Sequence, residues 1–202
     1  GEYTPENYLL KKENPLAVGP YDLGCHYMEH KVQQAEAMKG AKKRILEVAE
    51  AFEKLTGRKY GLFEEYCLED AEVALVLIGS REGTAKAAVD ALRDQGIKAG
   101  LLKIRVFRPF PAEEIAQALS KVKAIAIMDK SEGFSAQGGP LFAEVRSALY
   151  DLEPRPRTVG YVYGLGGRDI TPDHFEGIYR RLLDIAAGGD LGPTYTHLGQ
   201  RG

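Results

Sequence analysis

The sequence contains few cysteines and no cysteine pair of the kind that holds a metal. Cys25 and Cys67 are the two cysteines among 202 residues, and neither belongs to a CxxC motif. Iron–sulfur clusters and structural zinc sites use closely spaced cysteines, so this spacing argues against either centre within the chain. The low cysteine content also favours a reducing compartment, and we expect a cytoplasmic protein. A disulfide between the two cysteines stays open as an alternative.

Long hydrophobic runs and a strong net charge are absent as well. No apolar run approaches the roughly 20 residues of a membrane-spanning helix, and the polar, proline-containing start GEYTPENYLLKKENP does not resemble a signal peptide. The formal net charge of −2 gives no reason to expect nucleic-acid or membrane binding. The first residue is Gly1 rather than methionine, so we expect a piece processed or excised from a longer chain.

The sequence has no complete motif for a metal, a dinucleotide or a catalytic triad. His26 and His30 are four residues apart, as zinc ligands on one helical face would be, but no further ligand lies nearby. Surface or interface histidines are therefore favoured. The segment from Gly79 to Gly83 follows an apolar run but lacks the GxGxxG spacing of dinucleotide sites. We predict no catalytic residue and no metal site here, and leave cofactor-binding residues unassigned.

The first third of the chain is predicted to form an extended arm followed by a long helix. Residues 1–27 are polar and broken by prolines and glycines, which predicts extended chain. From about Glu29 to Thr56, apolar residues recur at three- and four-residue steps, and Gly57 follows as a C-cap. At 1.5 Å per residue this helix would be about 40 Å long. An apolar stripe of that length must lie across a domain or bridge two.

Residues 73–187 alternate between short apolar runs and amphipathic helical patterns. Uninterrupted apolar strands alternating with helices predict a parallel sheet that is covered on both faces. The predicted fold class is thus α/β, with a Rossmann-like, mostly parallel sheet. The predicted strands are Val73–Ile78, Lys98–Phe107, Ala124–Met128 and Thr158–Tyr163.

This pattern also predicts the domain organisation. The α/β domain is expected over residues 70–188. The arm and the helix, residues 1–69, would link it to a preceding domain that the sequence does not contain. Residues 189–202 are rich in glycine and are expected to form a flexible tail.

Charged, aromatic and glycine residues follow each predicted strand directly. The carboxyl ends of parallel strands meet at one edge, where α/β folds bind ligands, so we predict a partner or ligand surface there. For any single residue, a solvated loop position is the simpler interpretation. The glycine-rich segment before Arg168 could hold an anion or merely form a sharp turn. The candidate residues are Arg105, Arg108, Glu132, Phe134, Gln137, Tyr163 and Arg168.

Several of these segments together resemble a known enzyme family. The stretches are Ala71–Pro111 (AEVALVLIGSREGTAKAAVDALRDQGIKAGLLKIRVFRPFP), Asp129–Tyr150 (DKSEGFSAQGGPLFAEVRSALY), Tyr161–Thr171 (YVYGLGGRDIT) and Met28–Met38. They resemble the α subunit of pyruvate:ferredoxin oxidoreductase and of the related 2-ketoisovalerate enzymes. Residues 71–187 are also similar, as a domain, to the C-terminal domain of transketolase.

The resemblance implies CoA-dependent oxidative decarboxylation of a 2-oxoacid, foremost pyruvate, with electrons passed to ferredoxin. The complex as a whole would use thiamine diphosphate, magnesium, CoA and iron–sulfur clusters. Its partners would be the beta, gamma and delta subunits and ferredoxin, in a homo- or hetero-oligomer. In the family, the thiamine-activating acid lies in a preceding domain and the clusters on other polypeptides. We therefore expect no cofactor to be bound by this chain.

The resemblance leaves three interpretations of what this part of the subunit does. The first is assembly, in which the candidate residues contact another domain or subunit and the isolated chain is inactive. The second is that Arg105 or Arg108 binds an anionic group of CoA, in a pyruvate or a branched-chain 2-oxoacid enzyme. The third is a free-standing α/β binding module.

Overall fold

The computed structural model describes residues 12, 13, 19, 21–134 and 137–201. Most of the arm predicted over residues 1–27 therefore lies outside the described residues. The chain divides into two compact units, residues 1–41 and 42–202. The elements, in chain order, are α1 (Tyr27–Thr56), β1 (Phe63–Tyr66), β2 (Val73–Ile78), α2 (Glu82–Arg93), β3 (Ala99–Ile104), α3 (Ala112–Leu119), β4 (Ala124–Asp129), α4 (Pro140–Ala148), β5 (Arg157–Val162), α5 (Pro172–Ala186) and β6 (Tyr195–His197).

The second unit contains one six-stranded sheet with the order β1-β3-β2-β4-β5-β6. Strands β2, β3, β4, β5 and β6 are parallel, and β1 alone pairs antiparallel, with β3. The predicted mostly parallel α/β fold is confirmed. Its four predicted strands are all present, although β3 is shorter at both ends than the predicted Lys98–Phe107.

The sequence reasoning missed the two edge strands. Strand β1 reads FEEY and has no continuous apolar run, so it carries no signal of a buried strand. Strand β6 has three residues, and it lies in the segment predicted to be a flexible tail. That expectation is wrong for residues 195–197, because β6 pairs with Gly160 to Val162 of β5. Composition alone cannot reveal a strand whose partner lies 35 residues away in the sequence.

Both faces of the sheet are covered by helices, because alternate residues of each strand point to opposite sides. Val73, Leu75 and Leu77 of β2 pack into one apolar cluster with α2 and α5. Ala74 and Val76 pack into a second cluster with α3 and α4. Within the described residues, no helix combines the length and hydropathy that a membrane span requires.

The strand order places a topological switch point between β2 and β4. The chain passes from β2 to β3 on one side of the sheet and then crosses back to β4 on the other. Open α/β sheets bind ligands at this type of position, outside the carboxyl ends of the strands. The fold thus singles out the loops that follow β2, β3, β4 and β5.

Helix α1 has 30 residues and no fully buried side chain in the described residues. In its carboxyl-terminal half, Ile45 and Ala49 are half-buried. Val48 and Leu55, which were predicted to share one apolar stripe with them, are 67% and 85% exposed. Within the second unit, the stripe is therefore divided between a half-buried side and an exposed side.

An ion pair connects the end of α1 that belongs to the second unit with α3. The Lys42 ammonium lies 2.7 Å from the Glu114 carboxylate. This hydrogen bond lowers the pKa of Glu114 and raises that of Lys42, and burial acts against both shifts. The stabilisation by Glu114 is therefore present above the ordinary carboxyl pKa and is lost as the pH falls through the lowered value.

Replacing Lys42 with glutamine is expected to lower the free energy of unfolding by about 1 kcal/mol or less at pH 7. The difference from the unsubstituted chain should vanish as the pH falls through the lowered pKa of Glu114 and the carboxylate becomes protonated. Urea denaturation over a series of decreasing pH values measures it. Lys43→Gln is the control, because Lys43 is exposed and its partner Glu47 is 3.9 Å away on the same helix. A Lys42 effect that persists unchanged across the acid end of that series would contradict the ion-pair explanation.

Candidate interface at the carboxyl edge of the sheet

The structure brings four loops to one edge of the sheet, since β2, β3, β4 and β5 run in the same direction. We call this edge the carboxyl rim. It consists of the described residues in 79–81, 105–111, 130–139 and 163–171. Each candidate residue from the sequence lies in one of these loops.

Arg105 follows β3 and is held by β1. Its guanidinium donates to the Glu64 carboxylate at 2.5 Å and lies 4.7 Å from the centre of the Tyr60 ring. Lys86 of α2 donates to the other Glu64 oxygen at 2.5 Å. The hydrogen bond from Lys86, with the charge of Arg105, lowers the pKa of Glu64. Glu64, the partner of Arg105, thus lies on edge strand β1, which was not predicted from the sequence.

Arg108 also has a carboxylate partner within the chain. Its guanidinium donates to Glu144 of α4 at 2.6 Å and stacks over the Phe107 ring at 4.2 Å. The side chain is 54% exposed, so the pair lies at the surface. Both arginines at the end of β3 are therefore ion-paired, although neither partner could be identified from the local sequence.

Asp129, at the end of β4, is the one buried charged side chain among the described residues. Its two carboxylate oxygens accept hydrogen bonds from the backbone N–H groups of Leu141 and Phe142, each at 2.9 Å. These are first-turn N–H groups of α4, which otherwise have no partner. Burial raises the pKa of Asp129, and the two backbone hydrogen bonds act in the opposite direction. Asp129 therefore caps α4, and the N–H groups of Leu141 and Phe142 are not available to bind an anion.

Gly139 makes the Asp129 cap possible. A Cβ atom at Gly139 would lie 2.3 Å from Cγ of Asp129, so no larger residue fits. Pro140 follows at the first position of α4, where a missing N–H costs nothing. Sequence reasoning missed the role of Asp129, because the acid lies 10 residues before Gly139. An acid that ends a buried strand before a Gly-Pro pair is the available signal.

Tyr163 and the turn after it form the part of the rim beside β6. Tyr163 is 2% exposed, and burial raises the pKa of its hydroxyl. Gly164 and Gly166 adopt left-handed conformations with φ of 66° and 64°, which favours glycine. Arg168 donates to the carbonyl of Gly199 beyond β6. Of the two predicted roles of this glycine-rich segment, the sharp turn is observed, and Arg168 binds a backbone carbonyl of the same chain.

The remaining candidate residues differ in their surroundings. Glu132 accepts from Nε2 of His197 on β6 at 2.8 Å. The Phe134 side chain is fully exposed, at 111% of its reference area. Gln137 lines a groove beside α4 and the start of β5 rather than the centre of the rim. The assignment of all seven residues to a partner surface remains a prediction.

Two small cavities open at the rim. One, of about 230 Å³, lies at the switch point and is lined by Ile78 of β2, Phe107, Met128 of β4 and Lys130, among others. The other, of about 370 Å³, lies between the ends of β5 and β6. The described residues contain no group of three metal-ligating side chains. In the first unit, His30 contacts Asp22 at 2.5 Å.

The described rim combines an exposed aromatic ring, an apolar switch-point cavity and arginines held by ion pairs, at the edge of a mostly parallel α/β sheet where such folds bind ligands. The chain belongs to the pyruvate:ferredoxin oxidoreductase core domain II family, whose sequence pattern matches residues 71–175. The family resemblance expected from the sequence is thereby confirmed.

Individual relatives agree with this assignment. The chain is 46% identical over 191 residues to pyruvate synthase subunit PorA of Thermotoga maritima, covering 95% of this chain and 47% of that protein. It is 39% identical over 184 residues to ketoisovalerate oxidoreductase subunit VorA of Pyrococcus abyssi, covering 91% of this chain and 46% of the relative. The chain thus spans about half the length of the curated relatives it matches.

A solved structure supports the fold. The split gene transketolase, described as an inactive beta4 tetramer, matches with a TM-score of 0.50 at 18% identity. The match covers 64% of this chain and 44% of that chain. At this identity the likeness concerns the fold alone, and it agrees with the predicted similarity to transketolase.

Proposed function

We propose that this chain is the C-terminal part of the α subunit of a 2-oxoacid:ferredoxin oxidoreductase that acts on pyruvate. The complex would oxidatively decarboxylate the oxoacid, transfer the acyl group to CoA and reduce ferredoxin. The compared pyruvate synthase subunits are 36% to 46% identical to this chain and the compared ketoisovalerate subunits 39% to 40%, so the upper end of the first range favours pyruvate. Thiamine diphosphate, magnesium and the clusters would be held elsewhere in the complex, by the beta, gamma and delta subunits and the remainder of this one.

Within that complex, we propose that the carboxyl rim serves assembly rather than catalysis. The observation that carries this proposal is the occupation of the rim's charged groups by partners in the same chain. Asp129 caps α4, Arg105 is paired with Glu64, and Arg108 is paired with Glu144. Groups committed in this way hold the loops in place and leave a preformed surface for another domain or subunit.

Phe134 is the proposed anchor of this surface. Large aromatic side chains contribute much of the binding energy of protein interfaces, and the fully exposed Phe134 ring lies in the same loop as Lys130 and Ser131, which line the switch-point cavity. Ile78 and Phe107 line that cavity, and Ile78 is 37% exposed. A partner that buried Phe134, Ile78 and Phe107 would cover the switch point.

The test uses the complete enzyme complex together with the isolated chain. The isolated chain is expected to give no pyruvate-dependent reduction of methyl viologen, whereas the complex does. In the complex, Phe134→Ala should raise the dissociation constant of assembly about tenfold, the scale of a moderate interface anchor, as measured by gel filtration over a range of concentrations. Phe134→Tyr, which keeps the ring, should assemble normally. Appreciable turnover by the isolated chain would overturn the assembly role, and normal assembly of the alanine variant would remove Phe134 from the interface.

The alternative, in which Arg105 or Arg108 binds an anionic group of CoA, has less support. Each guanidinium already donates to a carboxylate, which an incoming phosphate would have to displace. Calorimetric titration of the chain with CoA separates the two functions. Micromolar binding that is lost in Arg108→Gln would favour the CoA site, whereas binding that is absent, only millimolar or unchanged in Arg108→Gln favours assembly.

A further inference from the structure

A groove that meets the carboxyl rim only at Gln137 is not part of the surface proposed above around Phe134 and the switch point. It has a volume of about 860 Å³ and lies between the carboxyl-terminal half of α4 and the start of β5. Its walls include the side chains of Arg146, Ser147 and Tyr150 from α4 and its end, and of Arg157 and Thr158 from β5. The volume falls in the range of about 300–1,000 Å³ that is typical of small-molecule sites.

Two guanidinium groups in this groove are held in place by aromatic rings instead of by acids. Arg146 lies over the Phe142 ring at 5.1 Å, and Arg155 lies over the Tyr150 ring at 5.6 Å. Arg155 also donates to the Tyr150 carbonyl at 2.6 Å. In the described part of the chain, neither arginine has a carboxylate within 4.0 Å. Both therefore differ from Arg105 and Arg108, whose charges are neutralised at the rim.

The groove is positively charged, and one of its arginines is held in place by backbone carbonyls. Arg157 adds a third guanidinium, whose Nη1 donates to the carbonyls of Ile185 at 2.8 Å and Gly189 at 2.7 Å. Asp151 is the one acid in the lining. Three guanidinium groups against one carboxylate leave an excess of two positive charges, which a dianionic ligand would balance. Arginine forks match phosphate oxygens in geometry as well as in charge.

The groove also offers an apolar contact for the rest of such a ligand. The Tyr150 side chain is 70% exposed. The hydroxyl groups of Ser147 and Thr158, which line the same groove, can donate to phosphate or sugar oxygens. We propose that the groove between α4 and β5 binds a nucleoside diphosphate or a closely similar phosphorylated ligand. Arg146 and Arg155 bind the diphosphate, and the base lies against Tyr150.

Isothermal titration of the chain with ADP tests this inference, and it requires none of the other subunits. ADP is expected to bind with a dissociation constant on the order of 100 µM. Adenosine, which lacks the phosphates, should bind at least about tenfold more weakly. Arg146→Gln and Arg155→Gln should each weaken ADP binding about tenfold or more, the usual loss of a hydrogen bond to a charged group. Arg58→Gln, at an exposed arginine outside the groove, should bind ADP normally.

Three results would overturn the inference. The first is the absence of saturable ADP binding up to about 10 mM, a hundred times the expected constant. The second is unchanged binding by the Arg146→Gln, Arg155→Gln double variant, provided that its circular dichroism and unfolding midpoint match the unsubstituted chain. The third is a loss in Arg108→Gln, which would place the ligand at the rim. Because the titration needs no turnover, a failure of the proposed enzyme function would leave its outcome unaffected.

Discussion

Replacing Asp129 with alanine is expected to lower the free energy of unfolding by about 3 kcal/mol at pH 7. The substitution leaves the N–H groups of Leu141 and Phe142 buried without a partner. Hydrogen bonds to a charged group contribute about 1.5–3 kcal/mol each, so the two together contribute about 3–6 kcal/mol. Burial opposes ionisation of Asp129, so removing the carboxylate also relieves a cost. For that reason we place the effect near the lower end of the sum.

Chemical denaturation followed by circular dichroism measures the Asp129 effect. The matched control is Asp94→Ala, because Asp94 is exposed at the end of α2, and this variant should stay within about 0.5 kcal/mol of the unsubstituted chain. In hydrogen exchange, the amides of α4 should lose protection before those of α2 and α5. A loss below about 1 kcal/mol would mean that the two backbone bonds contribute little to holding α4 on the sheet.

The second large effect is expected at Gly160 of β5. A Cβ atom there would lie 2.5 Å from Cδ2 of Phe142 and 2.6 Å from Cδ2 of Tyr195, because both rings close over the glycine. Gly160→Val should therefore lower the free energy of unfolding by about 3 kcal/mol, the upper end of typical overpacking costs. Tyr195 belongs to the three-residue strand β6, so its ring should be displaced from the glycine more readily than that of Phe142 in α4.

Hydrogen exchange with mass spectrometry distinguishes this local release from general destabilisation. In Gly160→Val, residues 194–198 should exchange faster than the remaining strands under native conditions. Gly177→Ala provides a control of opposite sign, since a Cβ in that helical position meets nothing within 4 Å. It should raise the stability by about 0.5–1 kcal/mol. Unchanged protection of β6 in the valine variant would contradict the proposed order of release.

The parts of the fold that were predictable are those encoded by local pattern. Val73–Ile78 is predicted to the residue, because its apolar run is unbroken and glycine follows directly. Strand β1 was unpredictable because Glu64 and Glu65 interrupt its apolar residues, and because its paired residues in β3 lie 35 residues or more away. Local sequence cannot reveal a strand that is stabilised by distant hydrogen bonds and ion pairs.

The candidate site was likewise predictable only in part. That Arg105 and Arg108 lie at the carboxyl edge follows from strand direction alone, so topology was enough to place them. Their ion pairs join residues 41 and 36 positions apart, and no spacing rule relates such positions. The groove beside Arg146 and Arg155 was missed because its positive charge is assembled from a helix and a loop, neither of which carries a local motif for a ligand site.

The two borders of the sheet have a consequence for the behaviour of the protein at high concentration. An unpaired border strand is a template on which a second molecule can add its own strand, which leads to fibres. Here one border is only three residues long. The other carries two glutamates, one of them bound by a lysine and an arginine. Short or charged borders discourage such growth, so this fold can be packed closely in a large complex without polymerising through its sheet.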